Sequence, residues 1–474
     1  MRSFLLLFVF TAFCGCYADT TTNAKLNIIV LLVDDLGWGD FGAYGAQFYE
    51  TPHIDRLAAG GMTFRNAYAA CTVCSPSRAA LLTGQYPARL RLTDWIAGHR
   101  YPYARLSVPD WNMRIEHERT LLPEAFQQAG YQTAFIGKWH LMPIGQPDFD
   151  QHYPTDHGFG LNIGGREWGQ PKGRGKYFSP FDMPNLNDGE SGDFLTDKLT
   201  DAALQFLEES TPEKPFLLYF SYYTLHSPIM CPPELKRKYQ AKLKTFENTA
   251  NEHLDPGRAG MVESLDNSVG RIMDKLEALG IAENTIIILT GDNGGDYDKT
   301  TGGLKGYKAF AHEGGTRVPM IIKWPDHTAP GSISDAVVIG TDLYPTLLDA
   351  AGLELRPKEH IDGISIAPVL ENGAVSTGRD AIYWHYPHYH RTKPYGAIRK
   401  GDWKLIEFFE DGELELYHLA TDPNETNNIS AEQPEQTSQL LSQLKDWRKS
   451  VNAQLMSPNP DYDPEHAESK HRKK

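Results

Sequence analysis

The chain has 474 residues, with 46 Lys plus Arg against 61 Asp plus Glu and a formal net charge of −15. Its 41% apolar and 11% aromatic residues are ample for a packed core, which excludes disorder, and the length fits a large α/β unit with an appendage. The acidic balance excludes a general nucleic-acid binder, whose phosphate contacts need a basic surface.

Met1-Arg2-Ser3, the apolar run Phe4–Phe13 and small residues to Ala18 have the layout of a signal peptide over residues 1–18. The run is shorter than the ~20 residues of a membrane span. The expectation is an exported protein without a transmembrane anchor, periplasmic or extracellular, or lysosomal in a eukaryotic host. A lipoprotein-like site at Gly15-Cys16 is the less favoured alternative, because Phe13 and Cys14 fit poorly before it. Cys71, Cys74 and Cys231 survive such a cleavage, an odd number that cannot form a disulfide framework. Cys71 and Cys74 form a C-x-x-C with no second pair to complete a structural zinc site.

Farther along, Asn27–Val33, Thr133–Ile136, Phe216–Tyr222, Thr285–Leu289 and Val318–Lys323 read as buried strands. Helical patterns alternate with them at Ile54–Ala59, Ser77–Leu82, Leu121–Ala129, Phe194–Glu208 and Arg258–Leu279, and another stops at Gly352. The alternation predicts an α/β domain over residues 24–375, built on a large, mostly parallel sheet flanked by helices. Past Gly378, Tyr395–Ile398, Trp403–Phe409 and Glu413–Leu419 predict antiparallel strands with a turn at Asp411-Gly412, and a helix runs from Pro434 to Val451. Residues 376–456 therefore form a smaller C-terminal α+β subdomain, and 457–474 a polar tail expected to be mobile.

In open α/β sheets the ligand site lies beyond the carboxyl ends of the strands. Four predicted strands run there into Asp34-Asp35, Gly137-Lys138-Trp139-His140, His226 and Gly291-Asp292-Asn293-Gly294-Gly295. Asp34, Asp35, Asp292 and Asn293 are hard oxygen donors, suited to Ca²⁺ or Mg²⁺ rather than zinc. Lys138 and His140, two apart, share one side of an extended chain. Pro76 suits a first helical turn that Ser75 is placed to cap, which sets Cys74 where free N–H groups favour an anion. Arg78 points back to the same place, and the thiol is expected to be acidic.

Cys74-x-Pro76-Ser77-Arg78 followed by Leu81-Leu82-Thr83-Gly84 resembles the signature of the type I sulfatases. Asp34-Asp35-Leu36-Gly37, Gly137-Lys138-Trp139-His140, Gly291-Asp292-Asn293-Gly294 and Glu313-Gly314-Gly315-Thr316-Arg317-Val318-Pro319 resemble that family's other landmarks, in its order. The resemblance implies an alkaline-phosphatase-like fold and hydrolysis of sulfate monoesters. It further implies conversion of Cys74 to Cα-formylglycine by a formylglycine-generating enzyme, the hydrate being the nucleophile and a ligand of one Ca²⁺ held by Asp34, Asp35, Asp292 and Asn293. Arg78 and Lys138 would offset charge, His140 would take a proton from the hydrate, and His226 and Lys308 would bind the sulfate. Lys305 sits where the family often has Arg.

His385, His388, His390 and Arg391, in an aromatic-rich stretch, are read as binding a sulfated carbohydrate, with Trp95, His99, Arg100 and Trp168 as weaker candidates. Two rival readings are a phosphonate or phosphodiester hydrolase of the same superfamily and a catalytically silent carbohydrate-binding homologue.

Overall fold

A computed structural model describes residues 25–211, 214–248 and 252–470. The expected signal peptide lies outside the described residues. The strands are β1 Asn27–Val33, β2 Met62–Tyr68, β3 Leu106–Ser107, β4 Gln132–Gly137, β5 Leu161–Ile163, β6 Phe216–Ser221, β7 Thr285–Gly291, β8 Met320–Lys323, β9 Ser332–Ile339, β10 Ile382–Tyr386, β11 Tyr395–Lys400, β12 Trp403–Phe408, β13 Leu414–His418 and β14 Ser457–Pro458.

Eight of them form one sheet in the order β5-β4-β6-β1-β7-β8-β2-β9. All its pairings are parallel except the two made by β8, so the sheet is mixed but mostly parallel, as its alternating sequence pattern predicts. The strand β1, Asn-Ile-Ile-Val-Leu-Leu-Val, is buried along its whole length because it lies between two neighbours and under helices on both faces. Its odd-numbered residues Ile29, Leu31 and Val33 join a core with helices Leu195–Glu208 and Pro256–Ala278. Ile28, Val30 and Leu32 join the opposite core with helices Cys74–Thr83, Leu122–Gln128 and Leu343–Ala350. Full burial of each such side chain contributes about 1.5–3 kcal/mol.

Register positions the site. Val33 pairs with Gly291, Leu32 with Ser221 and Ser221 with Gly137, so β1, β4, β6 and β7 end at one edge of the sheet. The polar residues that follow all four strands are thereby brought side by side.

The C-terminal antiparallel sheet, β10-β11-β12-β13, packs against helix Pro434–Ser450 through Ile398, Leu405, Leu416, Leu440 and Leu444. It also reaches the main unit: Trp384 Nε1 donates to Ala69 O at 2.8 Å, and the Tyr395 and Thr72 hydroxyls meet at 2.6 Å. The segment expected to trail free is docked as far as residue 470. Strand β14 pairs with β3, and Asn459 Nδ2 donates to Pro102 O and Ala104 O at 3.0 and 2.6 Å. Among the described residues no helix is long and apolar enough to cross a membrane.

Candidate active site

Helix Cys74–Thr83 aims its N-terminus at the strand edge and is buried throughout. Cys74 opens the helix and Val73 precedes it without a side-chain cap. The expected Ser75 cap is absent because its hydroxyl is committed elsewhere, donating to His140 O at 2.8 Å and accepting from Ile96 N at 3.1 Å. Ser75 thus ties the helix start to two walls of the site.

Arg78, one turn in, spans three strands. Its Nε donates to Asp292 Oδ2 at 3.0 Å, one terminal nitrogen stands 2.8 Å from the same oxygen, and the other donates to Lys138 O at 2.9 Å and Ser221 Oγ at 2.5 Å. Lys138 Nζ donates to Asp34 Oδ2 at 2.6 Å, and Lys308 Nζ to Asp35 Oδ1 at 2.6 Å. Asn293 Nδ2 donates to Asp35 Oδ1 at 2.8 Å. The Cys74 thiol lies 3.6 Å from Asp34 Oδ1, and His226 Nε2 lies 3.8 Å from Asp35 Oδ2. Nine of the ten residues expected at the core of the site therefore meet in one place, although they come from six parts of the chain, and the tenth, His140, lines the cavity over Cys74.

Asp34, Asp35, Asp292 and Asn293 are fully buried, yet Asp35 Oδ2 and Asn293 Oδ1 have no hydrogen-bond partner. Buried polar atoms are rarely left so. Three carboxylates and an amide oxygen, two of these groups with an oxygen unpaired, fit a hard cation such as Ca²⁺. Burial, countered by Arg78 and reinforced by Asp34, pushes the Asp292 carboxyl up to about 6. Asp35 is held well below the usual carboxylate range although burial would raise it, because Lys308, His226 and Lys138 outweigh that penalty. Lys308 stays charged despite burial because Asp35 faces it.

One expectation fails on energetics. The Cys74 thiol is pushed up to about 12, chiefly by burial; Lys138 and Lys308 pull it down, and Asp34 and Asp292 push it back. Helix N–H groups near an anion are outweighed here by desolvation and two facing acids. The extended-chain reading of Lys138 and His140 also fails, because His140 has a left-handed backbone with φ 58°. Its Nε2 contacts Ile96 O at 2.6 Å and Nδ1 has no partner. Burial and Lys138 hold this imidazole well below its ordinary value, so it is neutral. Burial and Lys308, against Asp35, bring His226 down to about 4.

A cavity of about 390 Å³ opens over Cys74, lined among others by His140, His226, Lys308, Trp95, His99, His390 and Arg391. His385 and His388 do not line it. His385 Nε2 is bound to Gln454 O at 2.8 Å, and His388 Nε2 meets Thr93 Oγ1 at 2.8 Å beside Asp94, both rings being buried. Arg100 is also off the wall, and Trp168 is stacked under Arg166 at 3.7 Å. Lys305 turns away to the Tyr417 hydroxyl at 2.8 Å. Ile96, Gln170, Lys172, Ser227 and Asp296 also line the wall, and no motif in the sequence marks them.

A family model described as Sulfatase matches residues 26–353, and one described as N-sulphoglucosamine sulphohydrolase, C-terminal, matches residues 305–454. A Formosa agariphila protein named Sulfatase is 32% identical over 91% of this chain and 90% of its own. Human N-acetylgalactosamine-6-sulfatase is 34% identical over 73% of this chain and 66% of its own. Among solved structures, Ps i-CgsB in complex with k-i-k-neocarrahexaose superposes with TM-score 0.73 at 26% identity, covering 92% of this chain and 94% of that one. Another, solved with its substrate D-glucosamine-2-N,6-O-disulfate, gives TM-score 0.70 at 27% identity, covering 90% and 98%. A phosphonate monoester hydrolase of Agrobacterium radiobacter, at 21% identity and TM-score 0.66, shares the fold alone. The chain belongs to the sulfatase family and is a sulfuric ester hydrolase.

Proposed function

We propose that the chain hydrolyses sulfate monoesters on a carbohydrate, with position 74 present as a formylglycine hydrate and one Ca²⁺ held by Asp34, Asp35, Asp292 and Asn293. The observation that carries this reading is the neutral, buried Cys74 thiol at the floor of a cationic cavity, beside Asp35 and Asn293, each of which has an unpaired oxygen. A thiol so desolvated is a weak nucleophile. A hydrated aldehyde at that position supplies one hydroxyl to attack sulfur and a second whose deprotonation expels sulfate. The cation, when bound, neutralises the acids around it and polarises the ester oxygens.

The remaining work falls to the chain itself. Lys308 Nζ, on the cavity wall and anchored 2.6 Å from Asp35, offers a fixed positive charge to the sulfate oxygens. His226, across the same wall, is placed to pass to the departing alcohol the proton that the attacking hydroxyl gives up. Arg78 and Lys138 hold the acids and offset negative charge near position 74. With Nε2–H donated to Ile96 O, His140 keeps its lone pair at Nδ1, and that is the atom assigned to accept the hydrate's proton.

A carbohydrate is favoured because the cavity lining sets an aromatic ring, Trp95, among the polar residues His99, Gln170, Lys172 and His390. The named relatives point the same way, N-acetylglucosamine-6-O-sulfatase of Bacteroides thetaiotaomicron among them. A formylglycine-generating enzyme is the partner required during maturation, and export remains the proposed destination.

Sulfate and phosphate esters of the same aryl alcohol, assayed beside a sulfated oligosaccharide, test the reading. Sulfate release, abolished by a chelator and restored by Ca²⁺, is expected; preference for the phosphate ester would overturn it. Binding of the oligosaccharide without turnover, in protein converted at position 74, would establish the silent reading instead.

A further inference from the structure

Behind the segment that carries Lys138 and His140 stands a cluster of three imidazoles, His117, His152 and His157. Their ligand nitrogens, one from each ring, lie within 4.8 Å of one another. The rings stack, His117 over His152 at 4.6 Å and over His157 at 4.8 Å, with interplanar angles of 14° and 13°. His152 and His157 are buried, whereas His117 is exposed and leaves a path from solvent.

The nitrogens are sorted by their partners. His152 Nε2 stands 3.3 Å from Asp148 Oδ2, and Asp148 is itself held by Arg114 at 3.0 Å. That contact turns His152 Nδ1 toward His157 Nε2, 3.2 Å away. Two nitrogen ligands of a tetrahedral metal with bonds of about 2.0–2.1 Å stand about 3.3–3.4 Å apart. The pair is therefore already spaced as one edge of such a site, and the carboxylate behind His152 is the partner that ligating imidazoles commonly have.

We propose that His117, His152 and His157 form a second metal site, for a borderline divalent cation of the Zn²⁺ class. It is separate from the oxygen-rich site at the strand ends. Imidazole suits such metals and carboxylate-rich sites suit Ca²⁺, so the two sites select different ions. The second site is a clamp: it joins the turn at His117, the segment at His152 and the short helix Pro154–His157. Trp139, between Lys138 and His140, donates its Nε1 to His152 O at 2.8 Å and packs against the His157 ring at 5.8 Å. Metal in the clamp would stiffen the support of both active-site residues without touching substrate. Binding would replace the hydrogen bond between His152 and His157, the proton on the nitrogen that takes the metal moving to the other nitrogen of its own ring.

Zinc uptake by the full chain tests this, in a Cys74→Ala background that removes the thiol as a competing ligand and with Ca²⁺ present throughout. Calorimetry with ZnCl₂ is expected to show about one equivalent bound, and the unfolding temperature is expected to rise. The exposed change His117→Ala, added to that background, is expected to weaken binding by about tenfold or more and to cancel the thermal gain. Co²⁺ in place of Zn²⁺ is expected to give a visible spectrum of nitrogen and oxygen ligation that the second variant loses. No uptake in the Cys74→Ala chain, or equal uptake in the two chains, would overturn the proposal.

Discussion

At position 74 the surroundings of one atom decide the chemistry. The thiol lies at the start of a helix and beside two lysines, yet burial and the carboxylates of Asp34 and Asp292 keep it protonated. Cys74→Ala is expected to abolish sulfate release while leaving the circular dichroism and unfolding midpoint nearly unchanged, since one small buried side chain replaces another. Arg78→Ala is a different case. It strands Asp292 and Asp34 inside the protein, so a loss of about 3–5 kcal/mol in denaturant unfolding is expected along with the loss of activity. Asp94, behind the cavity wall, accepts from the Tyr386 hydroxyl at 2.7 Å, and burial raises its carboxyl to about 7 from 3.8. The folded chain thus keeps a proton that the unfolded chain releases. The resulting stability is complete below about pH 4 and is lost as pH rises toward about 7. Asp94→Asn is expected to flatten the fall in thermal stability between about pH 5 and pH 7; an unchanged slope would remove Asp94 from that account.

Strand ends hold the site together, and their tolerance is small. Gly137 closes β4 with φ 101°, and an added Cβ would fall 2.0 Å from Ser221 O. That oxygen receives the Lys138 N–H at 2.7 Å, so Gly137→Ala is expected to cost at least about 2 kcal/mol in urea unfolding and to displace Lys138 from Asp34. A variant as stable and active as the parent would show that the strand end can shift. The same elements show what the sequence could reveal. Asn27–Val33 and Thr285–Leu289 were legible because a strand buried on both faces is apolar without interruption. Strand β2 was not, since Thr63, Arg65 and Asn66 break its apolar run, and β9 mixes Ser and Asp among its valines. The predicted Val318–Lys323 strand begins only at Met320, after Pro319, which has no N–H to give a ladder. Asp34, Asp35, Lys138, His140, His226, Asp292 and Asn293 were readable because each follows an apolar run, whereas Cys74 and Arg78 were marked by the helix start at Pro76 and Lys308 by the family resemblance alone. His385 and His388 misled because a loop rich in His and Tyr looks the same whether it faces solvent or the interior; here Gln454 and Thr93 hold both rings.

On the scale of the whole molecule, loops of the two larger sheets line the cavity over Cys74, and the C-terminal segment braces one of those loops. His390 and Arg391 enter it from the C-terminal unit, and His99 from a loop that the C-terminal segment braces through Asn459 and through Lys470, whose Nζ lies 3.4 Å from His99 Nε2. Removal of residues 457–474 is expected to raise KM for a sulfated oligosaccharide about tenfold, equal to about 1.4 kcal/mol of binding. For a small aryl sulfate, kcat should stay within about twofold, because the residues around Cys74 lie on the main sheet. Equal losses on both substrates would show that the segment supports the fold rather than the rim.

The central claim is that turnover depends on a chemically altered side chain at position 74. Mass spectrometry of the peptide spanning Cys74, taken from the batch of enzyme used for rate measurements, tests it most directly. The expected result is a peptide that has lost its sulfur and gained an aldehyde, in a fraction that tracks specific activity across preparations. Full sulfate-ester turnover by protein in which every copy still carries the thiol would contradict the account.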